Sequence, residues 1–309
     1  MGYMDNDTLM MMCLVCKQIN ELIKTGEGME RQLIRVFELR PSGENHNNYC
    51  SMKRIELFLS NMNRYWQDGT KRRMLQGYQH MKIYDSPKML AFYNSFEELE
   101  RLVPPHLRMT GIVDLDISSP VPNRINGNNG LGQLALLVPN LRKLDISNLD
   151  PSRYELIKLS QRCPHIEILK WNNSDGFPAD GECLTSIKNL KELYLDGGTF
   201  LFNADNDEID DGNDVSEERG MADMENYPNI FFFHKLCKNN PLERVSIRHA
   251  RSCCSFERYI AAQFDPIAQN ILIKFVRNAP STLVWFQSDL STENIRMLQS
   301  ERPGIQLVN

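Results

Sequence analysis

The stretch "LSQRCPHIEILKW", residues 159–171, sets Cys163 and Pro164 directly ahead of apolar residues at Ile166, Leu169 and Trp171. Proline carries no backbone N–H and pushes its predecessor out of helical geometry, so the pair marks a boundary between two kinds of element. On its left, Leu156 and Leu159 show the i, i+3 spacing of a short helix. On its right, the spacing of Ile166, Leu169 and Trp171 reads as a strand with its apolar side turned inward. Cys163 is then a small buried apolar residue closing the helix.

The same apolar triplet recurs along the chain. It is Ile112/Leu115/Ile117, Leu141/Leu144/Ile146, Ile166/Leu169/Trp171, Leu190/Leu193/Leu195 and Leu242/Val245/Ile247. The first positions are separated by 29, 25, 24 and 52 residues, the last gap being twice 26 and containing an acidic run. Short apolar helices precede the strands: Leu134/Leu137, Leu156/Leu159, Ile187, Phe233/Leu236 and Ile273/Val276, each stopped by Pro or Asn. One strand and one helix cannot bury an apolar face alone, so such units must stack.

This period and the L-x-x-L-x-L triplet resemble leucine-rich repeats. The pattern L-x-x-L-x-x-x-C-P-x-L-x-x-L of their cysteine-containing subtype is met by Leu156, Leu159, Cys163, Pro164, Ile166 and Leu169. The expected fold is therefore an α/β leucine-rich repeat solenoid, a curved parallel sheet with helices on the convex face. That subtype is frequent in F-box/LRR proteins, the substrate-recognition subunits of cullin-based ubiquitin ligases. Near the amino terminus, "DTLMMMCLVCKQINELI" resembles the closing part of an F-box, with Leu14, Val15, Cys16 and Lys17 matching "LVCK". The opening "LPxE" helix is missing and Ile19 stands where the family has Trp. The resemblance implies that these four residues contact the ligase adaptor; the same segment reads equally as a capping helix over the end of the solenoid core. The expected organisation is residues 1–30 as F-box-like or capping helices, and residues 31–309 as the solenoid with irregular early repeats and an acidic insertion at 203–226.

Composition narrows the function classes. At 309 residues and 41% hydrophobic the chain can bury a large core. Of the net charge of -5, the window 203–226 contributes -9, leaving +4 for the rest, so no global charge asks for nucleic acid. The short basic cluster at residues 71–73 has no interleaved aromatics and reads as a solvated helix end. Eight scattered cysteines read as reduced thiols, and the apolar run at 9–16 is too short for a span and lacks a basic start. No membrane association is expected, and the expected location is cytoplasmic or nuclear.

Candidate chemistry is sparse. Cys13 and Cys16 have a zinc-knuckle gap but no second pair at suitable spacing. The six histidines fall in no catalytic or metal pattern. An alignment of Gly212 to a calcium-loop glycine places Asp207, Asp211 and Glu218 at ligand positions, yet puts Ile209 and Asp214 where a ligand and an apolar residue belong. The segment reads better as a solvated insertion. No enzyme activity, cofactor or metal is expected.

Function then falls to the concave strand ladder, whose outward positions flank the second apolar residue of each triplet. They are Asp114/Asp116, Lys143/Asp145, Ile168/Lys170, Glu192/Tyr194 and Arg244/Ser246. Mixed charge with one aromatic suits a protein target. The expected binding set is Asp116, Lys143, Asp145, Ile168, Lys170, Glu192, Tyr194, Arg244 and Ser246. Trp171 is expected in the core, while the facing of Trp285 is open, since either Val284/Phe286 or Leu283/Trp285 satisfies the pattern. The expected role is a substrate-recognition subunit of a ubiquitin ligase, with a stand-alone scaffold as the alternative.

Overall fold

The computed structural model describes residues 36–39, 79–83, 108–119, 131–174, 182–201, 240–253 and 264–309. Nine strands form one sheet: β1 (Val36–Leu39), β2 (His80–Ile83), β3 (Asp114–Asp116), β4 (Lys143–Asp145), β5 (Ile168–Lys170), β6 (Glu192–Tyr194), β8 (Arg244–Ile247), β11 (Trp285–Ser288) and β12 (Gln306–Val308). Every neighbouring pair in this sheet is parallel, and the strands lie in chain order apart from a short excursion through β7 (Thr199–Leu201), β9 (Arg251–Cys253) and β10 (Asp265–Pro266). Parallel neighbours need a crossover, and here each described crossover carries a helix or a loop on the side away from the strands' outer face. The helices are α1 (Leu131–Leu137), α2 (Arg153–Arg162), α3 (Glu182–Thr185), α4 (Gln269–Asn278) and α5 (Thr292–Glu301).

Register explains why the repeat is visible in the sequence. The pairings place Leu115, Leu144, Leu169, Leu193, Val245 and Phe286 in one row across six strands, and all six are buried. A slip of one residue would turn that row to solvent, so the apolar pattern alone fixes the pairing. Trp171 is fully buried and its Nε1 donates to the Leu149 carbonyl at 2.8 Å, so the indole is core with its polar atom satisfied. A sixth triplet, Leu283/Phe286/Ser288, is also buried. Neither expected pairing holds on the penultimate strand: Leu283, ahead of the strand, and Phe286, within it, are both buried, while Val284 is 51% exposed and Trp285 stands on the outer side.

The opening stretch behaves as its sequence demands. Ser152 caps α2 by accepting from the Glu155 amide, and Leu156 and Leu159 bury the inner face. Cys163 is the C-cap, and its thiol donates to the Val138 carbonyl at 3.3 Å and lies 3.6 Å from the Ala135 carbonyl. Burial pushes this thiol up to about 12, so it stays a protonated donor that joins one repeat to the one before. Asn189 repeats the theme from another position, donating to the Pro164 carbonyl at 2.7 Å as Asn140 does to Thr110 at 2.8 Å.

After each central strand the chain turns through a left-handed residue four places beyond the buried middle position: Asn148 at φ 64°, Asn173 at 55°, Gly197 at 68° and His249 at 53°. Asparagine and glycine tolerate this region; the added Cβ of any other residue at Gly197 would collide with the Asn173 side chain. The preceding position forms a polar ladder. Ser147 Oγ accepts from the Asn172 amide, Asn172 Oδ1 from the Asp196 amide, and Asp196 Oδ1 from the Arg248 amide. Backbone donors that leave the sheet are thus satisfied one repeat at a time.

The parallel register, the repeat spacing and the helices behind the sheet make this an α/β solenoid of leucine-rich repeat type, as expected. The short sheet of β7, β9 and β10 is a departure: β7 and β9 pair in parallel just past the turns at Gly197 and His249, and β10 closes antiparallel on β9. The segments 1–30 and 203–226, the adaptor residues Leu14, Val15, Cys16 and Lys17, and the helix at Phe233/Leu236 lie outside the described residues. No helix among the described residues is long and apolar enough to cross a membrane.

Candidate protein-interaction face

Strand alternation brings two rows of side chains to the outer face of the large sheet, one on each side of the buried row. The first runs His80, Asp114, Lys143, Ile168, Glu192, Arg244, Trp285. The second runs Lys82, Asp116, Asp145, Lys170, Tyr194, Ser246, Gln287. The sequence-predicted residues therefore do share one surface, on five adjacent strands.

The early strands carry a closed ionic network. Asp114 Oδ2 takes the Lys143 ammonium at 2.7 Å and lies 3.0 Å from His80 Nδ1, and Lys82 donates to Asp116 at 2.6 Å. Ser118 adds its hydroxyl and amide to Asp116 Oδ1. Burial alone would raise the Asp116 carboxyl, but the Lys82 and Ser118 donors outweigh it and hold the group below its ordinary 3.8. Asp145 Oδ1 accepts from the Ser147 amide, which ties it to the turn that follows. Charges here are spent on one another.

The later strands are built differently. Tyr194 and Trp285 stand with ring centroids 6.4 Å apart, tilted by 50°. The Arg244 guanidinium lies over the Trp285 ring at 4.6 Å, and the Lys170 ammonium lies 5.8 Å from the Tyr194 centroid. Tyr194 donates to Glu192 Oε2 at 2.8 Å; burial first and then this carboxylate raise the phenol above its ordinary 10.0, so it remains a donor. Ile168 is half-buried beside Glu192 in the register.

Ser246 departs from expectation. It sits in the outward row, yet it is 1% exposed, because Asp196 reaches over from the turn after β6 and accepts its hydroxyl at 2.6 Å. It braces the face from below and offers no contact surface. Conversely, His80, Lys82 and Trp285 belong to the face and were not in the expected set. The alternation in "HMKI" was the available signal for the first two, whereas Trp285 could be placed only once Phe286 was seen to fill the core. Among the described residues no group of His, Cys, Asp or Glu has the arrangement of a metal site.

The arrangement defines a class: a repeat solenoid presenting a broad, mixed-charge strand face. No protein-family model matches the sequence, and no curated protein matches it. Among solved structures, the leucine-rich repeat-containing protein LegL7 from Legionella pneumophila is similar at 14% identity with a TM-score of 0.38. That alignment covers 75% of this chain and 65% of LegL7, less than two thirds of its length. The fold rests on this chain's own register and repeat spacing.

Proposed function

We propose that the chain is a protein-interaction module that holds its target on the outer strand face. The observation that carries this reading is the cluster of Tyr194, Arg244 and Trp285 on the sixth to eighth strands of the nine-stranded sheet. Tyrosine, tryptophan and arginine are the residues that dominate binding energy at protein interfaces, where they offer large contact area at small entropic cost. A sheet whose neighbours are locked in register holds them without further ordering on binding.

The finer proposal is a substrate-recognition subunit of a cullin-based ubiquitin ligase, docking its adaptor through Leu14, Val15, Cys16 and Lys17 and acting in cytoplasm or nucleus. Its support is the "LVCK" resemblance together with the Cys163–Pro164 repeat subtype. The alternative, a scaffold with no ligase link, uses the same face. Affinity capture from cells with three chains separates these: the intact protein, Lys170→Glu/Tyr194→Ala, and a chain lacking residues 1–30. The face variant is expected to lose the target and keep any adaptor, and the truncation to lose the adaptor and keep the target. Retention of every partner by the face variant, with the partners lost on truncation instead, overturns the face as the recognition element.

A further inference from the structure

The outer face is neutral as a whole, with its charges sorted. On β2 to β4, Lys82 and Lys143 are each within 2.7 Å of an aspartate oxygen. On β5 to β11 the two cations lie near aromatic rings, Lys170 at 5.8 Å from the Tyr194 centroid and Arg244 at 4.6 Å from that of Trp285, with Arg244 also hydrogen-bonded to the Tyr194 side chain. Among the described residues neither forms an ion pair with a carboxylate. The acid between them, Glu192, already accepts from Tyr194. A cation seated on a ring keeps its far side for another anion, and the ring beneath fixes its position.

We infer that this half of the face, resting on the interaction reading above, recognises an extended acidic segment of a partner protein, with one carboxylate on Lys170 and a second on Arg244. In the register the two cations lie two strands and two residues apart, which is about 12 Å between backbone positions. In an extended peptide, side chains on one face recur about every 6.6 Å, so acids four positions apart span about 13 Å and match. The Tyr194 ring, on the strand between the two cations, and the Trp285 ring, one strand beyond Arg244, stand 6.4 Å apart and supply a surface for an apolar residue of the same segment. A nucleic acid is disfavoured: polyanion binding needs many uncompensated cations, and Lys82, Arg248 and Lys143 are already engaged with Asp116, Asp196 and Asp114.

The test is selection of a random-peptide phage library on the intact chain, followed by binding of the enriched synthetic peptides and of a polyuridine oligonucleotide by fluorescence anisotropy. The expected result is enrichment of paired Asp or Glu four positions apart. Affinity should fall about tenfold for Arg244→Gln and again for Lys170→Glu, with unchanged melting temperatures, and should weaken with added salt. Trp285→Phe should retain more binding than Trp285→Ala. Peptides without acidic enrichment, no enriched peptide, or affinities indifferent to Lys170 and Arg244 overturn the inference. If such peptides respond instead to Asp114→Asn and Asp145→Asn, the interaction face survives and only its acidic partner falls; if they respond to no strand residue, both fall. Oligonucleotide binding tighter than any peptide and lost in Trp285→Ala overturns the protein partner altogether.

Discussion

At Cys163 one sulfur atom both fills space and links two repeats. Its thiol is fully buried, donates to the Val138 carbonyl, and is pushed up to about 12 by its surroundings. The thiolate is the form that attacks alkylating reagents, so Cys163, buried and protonated, should stay unmodified in the folded chain at pH 8 and react on unfolding; labelling followed by peptide mass spectrometry reads this, and modification of Cys163 under native conditions would contradict it. Asp116 makes a prediction of opposite sense. Its folded carboxyl is held below the ordinary 3.8 by Lys82 and Ser118, so its contribution is present above that value and is lost as the pH falls through the lowered one. Asp116→Asn should therefore lower the melting temperature at pH 7, and its deficit should shrink progressively below about pH 4. A deficit independent of pH would show that packing, not charge, is what the substitution removes. His249 is a third case: a non-glycine residue at φ 53° stores strain that asparagine tolerates better. The sequence gives no warning of it, since nothing in "RHAR" sets His249 apart from an ordinary turn residue.

Between elements, the contact of α1 with α2 depends on a glycine. A Cβ on Gly132 would lie 2.8 Å from Lys158 Cβ and 3.1 Å from Glu155 Oε2. Glu155 reaches across to accept from the Gly132 amide at 2.6 Å, and Arg162 donates to the Gly132 carbonyl at 2.7 Å. Gly132→Ala gains helix propensity of about 1 kcal/mol but forces the helices apart, at a cost of about 1–3 kcal/mol for overpacking; a net loss in denaturant midpoint is expected, and a gain would show that Lys158 moves freely. Burial raises the Glu155 carboxyl above its ordinary 4.5 despite the Gly132 amide. A raised folded value means the stabilising form is the protonated one, and the benefit is lost as pH rises through it. Glu155→Gln keeps an acceptor for Gly132 without a buried charge, so at pH 7 it should be at least as stable as the parent, the difference closing toward pH 4.5. Strands were more legible than these helix contacts because a period-two pattern shows which side is buried. The sixth triplet escaped because Ser288 stands where an apolar residue was sought, and the sheet of β7, β9 and β10 escaped because its segments carry no L-x-x-L-x-L triplet and recur at no repeat spacing. Ser246 was misjudged because alternation predicts its side of the strand but not the Asp196 carboxylate arriving from another turn.

Over the whole molecule, each described strand of the large sheet pairs with its immediate neighbours in the strand order, so stability is approximately a sum of local terms coupled between neighbours. A residue's row depends only on its own repeat, and stacking then brings the rows together, so alternation puts the expected residues on one side of the sheet but does not foresee that Asp196 covers Ser246. The same property dictates how damage spreads. Leu193 lies between Leu169 and Val245 in the register and is fully buried, whereas Leu307 lies on the last strand, beside Phe286 on one side only. Leu193→Ala should cost about 2–5 kcal/mol through the cavity it leaves, and because it weakens the junction between two blocks of repeats, β3 to β5 should lose amide protection separately from β8 to β12. Leu307→Ala should cost less, since that side chain is 7% exposed and its site can relax toward solvent, and its loss of protection should stay within α5 and β12. Hydrogen exchange across a denaturant series distinguishes these outcomes. If both substitutions lowered protection evenly along all described strands, the chain would be a single cooperative unit, and the face could not yield at one repeat while holding its shape at the others.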